Sequence, residues 1–378
     1  MNLKVPAVFL ENYIEELHRL NSTYGSDKVT EVYGSFSRSP IGNARASICV
    51  PDVNSEFLKH YIEVAHDNNI KFNYTLNSTC LGNREFNGVS HQQLMRGIEE
   101  IIGLGIDSIT IAHPFLIQLV TTAFPEVEVV GSINLCANSR LQLSQLEDLG
   151  VRRVVVDRWI NREFALLESL RKQTSVGLEL LVNSGCVNHC ILHQYHNNVN
   201  SHASQSTCQD GTNDALLKYP GYICLSYKLR NILRLICGSW IRPEDIEHYE
   251  AIGYMSFKTD LRGATEKKLL RVAEAYLARR YEGNLFYLLL PADDHPGLSL
   301  RKSMNMRLEN QLLDGFIEPF VSGKLSCRNC SGSNAHCKSY ARKLSYDNSY
   351  RQKLIEYLND EVKKLILPCG NDLIVKEE

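Results

Sequence analysis

The 378-residue chain has no run of about 18 apolar, uncharged residues, so no membrane-spanning helix is expected. Its opening, MNLKVPAVFLENYIEELHRL, lacks a long apolar core followed by a small-residue cleavage site. That opening reads as mature protein, and the expected compartment is the cytoplasm. An excess of either charge is missing too. Formal net charge is −2 and the sequence pI about 6.6, so no whole-chain field favours nucleic acid or a membrane surface, and neither partner is expected. There is no glycine fingerprint for a dinucleotide, no His-Glu-x-x-His helix and no Gly-x-Ser-x-Gly elbow. No solenoid repeat or low-complexity tract is visible. Hydrophobic residues make up 44% and charged residues 22%, a balance that suits a folded core.

What is present is alternation. VTEVYGSF (29–36), KFNYTL, SITIAH, EVEVVGSI, RRVVVD and VGLELLVN are rich in β-branched and aromatic residues. Between them lie segments with apolar residues at helical spacing, such as HQQLMRGIEEIIGLG and SRLQLSQLEDLG, closed by Gly105 and Gly150. About seven strand–helix units before residue 185 imply a parallel sheet, since such strands need crossovers. The expected fold is α/β: a (β/α) TIM-barrel-like domain over 1–290, with a small cysteine-containing region and a terminal helix over 291–378. An open doubly wound sheet is the alternative. In a barrel, functional residues sit at strand C-terminal ends, where Cys80 and Cys186 fall. Residues 197–222 are polar, rich in Asn and Ser and without apolar periodicity, and predict a long loop.

Twelve cysteines exceed what packing requires, and short spacings without a leader favour metal or cluster binding over disulfides. NSGCVNHCILHQYH places Cys186 and Cys190 together at a strand end, with Cys208 and Cys224 following. Four thiolates suit an iron–sulfur cluster of the 4Fe–4S type. A zinc site from Cys186, Cys190 and two of His189, His193, His196 and His202 competes. The radical S-adenosylmethionine pattern, Cys-x3-Cys-x2-Cys, is excluded by His193 at its third position. A second group, Cys327, Cys330 and Cys337, reads as a ligand knuckle for zinc, an auxiliary cluster or nothing, with His336 or Cys369 as a fourth ligand. Cys49, Cys136 and Cys237 lie in or beside apolar runs and read as buried small hydrophobes. The role of Cys80 is open.

EDLGVRRVVVDRWINREFALLESL followed by LELLVNSGCVNHC is similar to the signature region of the collagenase-like peptidases (class U, family thirty-two). The stretch from YICLSYKLRNI through WIRPEDIEHYEAIGYMSFKTDLRG resembles the family's second block, with Lys258 and Arg262 matching its Lys-x-x-x-Arg-like element. AYLARRYEGNL is also family-like, and the resemblance covers roughly residues 29–290. It implies a (β/α) barrel. Several relatives hold a 4Fe–4S cluster on four cysteines and act in oxygen-independent hydroxylation of ubiquinone precursors or RNA bases, some with prephenate as donor. Cys186 and Cys224 match by position and Cys208 by distance, while the Cys186–Cys190 gap is shorter than in many relatives. An extra domain of some RNA-directed relatives has no counterpart in the sequence.

The resulting expectation is an oxygen-independent hydroxylase or oxidoreductase acting on a small molecule or peptide. Arg158, Lys258 and Arg262, all near strand ends, are its candidate catalytic residues, binding an anionic substrate or donor. Surface ion pairing is their plainer role. A metal- or cysteine-dependent peptidase is one alternative. A non-catalytic electron-transfer or scaffold subunit is another, since some relatives act in pairs and imply a partner of the same family.

Overall fold

The structure, a computed structural model, describes residues 1–37, 39–45, 50–206, 213–290, 305–328, 330 and 334–367. Eight strands close a barrel in chain order: β1 (Asn2–Pro6), β2 (Lys28–Gly34), β3 (Lys71–Leu76), β4 (Ser108–Ile111), β5 (Glu128–Gly131), β6 (Arg153–Val155), β7 (Gly177–Leu181) and β8 (Ser256–Lys258). Each is parallel to the next, and β8 pairs with β1 to complete the ring. The chain is therefore a (β/α) barrel, not an open sheet. The alternation read from the sequence starts at residue 29. The structure adds β1 before it, a strand too short to show a pattern of its own.

Six helices cross over between the first seven strands: α1 (Glu11–Tyr24), α2 (Ser55–Asp67), α3 (Gly88–Ile102), α4 (Pro114–Ala123), α5 (Arg140–Asp148) and α6 (Phe164–Gln173). Their starts are chemically marked. Asn54 accepts from the Phe57 amide at 2.8 Å and Ser139 from the Gln142 amide at 3.3 Å, each satisfying an orphan donor of the first turn. Gly105 and Gly150 return the chain to the next strand with φ of 87° and 85°, a region that disfavours side chains. Outward strand residues such as Leu3, Phe72, Tyr74, Ile109, Val154, Leu180 and Phe257 join the helices in one continuous core.

The inward face is less ordinary. Lys4, Glu31, Asn73, Ser108, Arg153, Glu179 and Lys258 are all buried or nearly so inside the bore. Arg153 reaches Glu31 at 2.6 Å, Glu128 at 3.3 Å and Glu179 at 3.4 Å, while Lys4 lies 3.6 Å from Glu179. Opposed charges this deep must balance, since an unpaired one is costly. Above this layer, Val130, Val155 and Leu181 form a small apolar patch beneath the rim.

The long segment between β7 and β8 departs from the sequence expectation. Residues 197–222 are not simply a loop: α7 (His193–Ala203) and α8 (Asn213–Arg230) occupy most of it. Apolar periodicity is missing because α7 is held by polar contacts. Ser201 Oγ accepts from the Thr79 amide at 2.9 Å, Ser204 Oγ from the Asn43 amide at 2.8 Å, and Gln205 donates to the Cys80 carbonyl at 2.8 Å. The helix Asn348–Ile366 lies along α8, where Arg351 donates to the Leu229 carbonyl at 3.1 Å. No helix among the described residues is long and apolar enough to cross a membrane.

Candidate functional site

The barrel rim beyond β6, β7 and β8 carries the densest chemistry. β6 runs into a short 3-10 turn, Arg158–Ile160, started by Asp157, whose carboxylate accepts from the Trp159 amide at 3.1 Å. That turn points the buried Arg158 at the exit of β7, where its Nη1 donates to Cys186 Sγ at 3.1 Å. The exit itself is clamped. Asn183 donates to the Leu288 carbonyl at 2.9 Å, and a Cβ on Gly185 would stand 2.7 Å from the Leu289 carbonyl oxygen. Only glycine fits there, immediately before Cys186.

Three of the four cysteines read as cluster ligands meet at this place. Lys228 lies one helical turn after Cys224 on α8, hydrogen-bonds that thiol and interacts electrostatically with Cys186 and Cys190. Burial pulls the Lys228 ammonium down, but the three sulfurs outweigh it and hold its proton more firmly than usual. Burial likewise pushes the Cys186 thiol up, yet Arg158 and Lys228 prevail and hold it below its ordinary range. Cys190 has the opposite balance and is raised, mainly by burial. Cys208, the remaining ligand read from the sequence, lies outside the described residues, as does Cys49.

Cations crowd the same mouth. Arg45 pairs with Asp260 at 2.9 Å, and Arg262 donates to Thr75 Oγ1 at 3.3 Å. Burial raises the Asp260 carboxyl, but Arg45, Arg262 and Arg158 together draw it down below the usual range. Lys258 sits lower, within the bore, its ammonium 3.8 Å from the Tyr33 ring centroid. Burial lowers it to about 8 despite Glu179 and Glu31. His193 and His196 are each lowered to about 4, by burial and by nearby cations, so both are neutral at neutral pH.

The residues at the rim fit a thiolate-held, anionic group. They offer soft sulfur donors, with the buried Arg158 and the half-buried Lys228 to offset negative charge. Among the described residues no three Cys, His, Asp or Glu side chains converge tightly enough to hold a single ion as they stand. The zinc alternative on Cys186, Cys190 and two histidines therefore gains no support from the geometry. His193 turns instead to Cys136, 3.6 Å away, and to the Trp159 ring.

Sequence reasoning missed Lys228, whose only signal was its four-residue offset from Cys224. It also misread Cys136, which is half-buried, in left-handed backbone beside His193, with its thiol raised to about 11 by burial and Asp157. Cys237 packs against the core as read, but only half-buried, and has a second side. Its thiol hydrogen-bonds Cys337, and it lines a cavity of about 260 Å³ together with Cys327, Cys330 and Cys337. Of the fourth ligands considered for that group, His336 Nε2 donates to the Phe316 carbonyl at 2.9 Å, and Cys369 lies outside the described residues. Cys80 has a local partner, accepting from the Gly82 amide at 3.4 Å.

Comparisons place this geometry among known proteins. A protein of Methanocaldococcus jannaschii described as an uncharacterized protease is 28% identical over 335 residues, which is 88% of this chain and 93% of that protein. A solved structure of a U32 peptidase superposes on 55% of this chain and 78% of its own, with TM-score 0.44 and 18% identity. A xylose isomerase domain protein from Salmonella typhimurium covers 71% and 93%, with TM-score 0.35 and 12% identity. Residues 19–212, just over half of the sequence, match the family described as peptidase family U32, and the chain belongs to that family.

Proposed function

We propose that the rim of this barrel holds a 4Fe–4S cluster on Cys186, Cys190, Cys224 and Cys208, and that the protein oxidises or hydroxylates a small molecule or peptide without molecular oxygen. The observation that carries the reading is the buried Arg158 donating to Cys186 Sγ at 3.1 Å, with the half-buried Lys228 acting electrostatically on Cys186, Cys190 and Cys224. A bound cluster would supply one-electron transfer. The protein's own groups do the rest. Arg158 and Lys228 keep sulfur charged and ligand-ready. Arg45 and Arg262 present guanidinium groups to an anionic substrate or donor, with Lys258 in the bore beneath them. His193 and His196 add no charge near neutrality and offer ring nitrogens as proton acceptors.

The rival is a peptidase, since the Methanocaldococcus relative is described as an uncharacterized protease, and this rim would have to supply a cysteine nucleophile for it. A nucleophilic thiol needs a base beside it. Among the described residues, the thiol–imidazole contact at this rim, Cys136 with His193, joins a raised thiol to a lowered imidazole, so both stay neutral. That is the reverse of an activated pair.

Anaerobic purification tests the proposal. Brown protein with broad absorbance in the visible blue is expected, and Cys186→Ala, Cys190→Ala, Cys208→Ala and Cys224→Ala should each lower its iron content by about one cluster, about four irons, while Cys49→Ala should not. Full iron content in all four variants, or colourless protein with stoichiometric zinc, would defeat the reading. For the reaction itself, anaerobic incubation with fractionated metabolites and peptides should yield products one oxygen atom heavier or two hydrogens lighter.

A further inference from the structure

We propose that Cys237, Cys327, Cys330 and Cys337 ligate a second iron–sulfur cluster, in a cavity of their own behind the first site. This goes beyond the reading of the rim and does not depend on it. Four cysteines from two distant parts of the chain line one cavity of about 260 Å³. Cys237 comes from the turn that follows the helix Leu233–Ile236, and the other three come from the C-terminal region.

The Cys-x2-Cys knuckle is already shaped. The Cys330 amide donates to the Cys327 carbonyl at 3.2 Å, closing the turn. Glu163 fixes it from outside, accepting from the Cys327 amide at 2.6 Å, the Arg328 amide at 2.9 Å and the Ser326 hydroxyl at 2.8 Å. With its carboxylate so occupied, Glu163 shapes the knuckle and stays out of the ligand set. Beneath lies Arg162, buried, donating to the Ile236 carbonyl at 3.1 Å and lying over the stacked pair Trp240 and Phe316, 4.4 and 4.7 Å from their ring centroids. Its guanidinium supplies permanent positive charge beside Cys237, Cys327 and Cys337. Such a charge offsets the negative charge that thiolate ligation brings into a low-dielectric wall.

Size separates a cluster from a single ion. Zinc draws four sulfurs onto one point, each about 2.3 Å from the metal. Here no three ligating side chains among the described residues close on a point. Two of the sulfurs, Cys237 and Cys337, are hydrogen-bonded, and with Cys327 and Cys330 they line a space several times the roughly 30 Å³ share of one water molecule. A cubane of iron and sulfide is a body that such a rim can grip. His189 and Asn188, from the turn carrying Cys186 and Cys190, form another wall of the cavity, so the two cysteine sites stand back to back.

Iron, sulfide and zinc counted on the full chain, prepared without oxygen, decide the matter. About eight irons per chain are expected, since a 4Fe–4S cluster carries about four. Cys327→Ser/Cys330→Ser should lose about half of them and keep the remainder on the rim, and Cys237→Ser should lose the same half. Cys186→Ser/Cys190→Ser should keep the complementary half, a result that stands even if the C-terminal variants fail to fold. If Cys186→Ser/Cys190→Ser loses all iron, the second cluster does not exist. The proposal also falls if Cys327→Ser/Cys330→Ser and Cys237→Ser keep wild-type iron, if one zinc per chain departs with them, or if non-reducing peptide mapping finds a Cys237–Cys337 disulfide. Retention of the C-terminal half without any rim iron would reject the first site alone.

Discussion

Replacing Arg158 by Gln removes a full charge while keeping a side chain able to donate, and it tests how the rim keeps sulfur ionised. Arg158 Nη1 stands 3.1 Å from Cys186 Sγ, and the guanidinium is buried. At that separation two unit charges attract by on the order of 5 kcal/mol at an effective dielectric of about 20. Not all of this is lost in the variant. Lys228 still acts on Cys186, the introduced amide can donate, and water reorganises into the gap. If roughly a third survives as a net effect, about 1.5–2 kcal/mol of thiolate stabilisation disappears, more than tenfold in the ionised fraction. The assay is peptide-resolved alkylation of reduced, metal-stripped protein at neutral pH. Cys186 should react at least about tenfold more slowly in Arg158→Gln, with part of the rate restored in Arg158→Lys. Cys330, in the cavity that Cys186 does not line, serves as the internal reference. An unchanged Cys186 rate in Arg158→Gln would refute the electrostatic account of this rim.

Three further outcomes are expected. Arg153→Met strips Glu31 and Glu179 of their shared cation inside the bore and should cost about 3–5 kcal/mol in urea unfolding, and a loss below about 1 kcal/mol would show that the ion network is not needed. Glu179 is raised by burial but drawn down to about 2 by Lys4, Arg153 and Lys258, so its contribution is present above the ordinary carboxylate range and disappears as pH falls through about 2; acid melts should show this loss, and Glu179→Gln should flatten it. Arg162→Met removes the hydrogen bond to Ile236 and the stack on Trp240 and Phe316, so about 1–3 kcal/mol should be lost and trypsin should cut the 324–343 segment sooner; unchanged cleavage would argue against its pinning role.

The barrel was legible because its grammar is local: a helix closed by Gly105 or Gly150, then a short β-branched run. Cys186 was legible for the same reason, as the residue a strand runs into. What was hidden depends on contacts far apart in the sequence. α7 is built on Ser201, Ser204 and Gln205, whose partners at Thr79, Asn43 and Cys80 are more than a hundred positions away. Such a helix has no apolar stripe to read. Glu31, Arg153 and Glu179 look like ordinary charged residues beside strands, and only ring closure turns them inward together. Cys237 sits beside an apolar stretch and reads as packing until the C-terminal knuckle arrives next to it.

The clamp at the exit of β7 sets an order of assembly. Asn183 and Gly185 are seated by the carbonyls of Leu288 and Leu289, the first of these contacts spanning 105 residues. A nascent chain released only as far as β8 would have a nearly closed ring but a cysteine hook still adrift. The hook that carries Cys186 is therefore set late, once the stretch around residue 289 has come home.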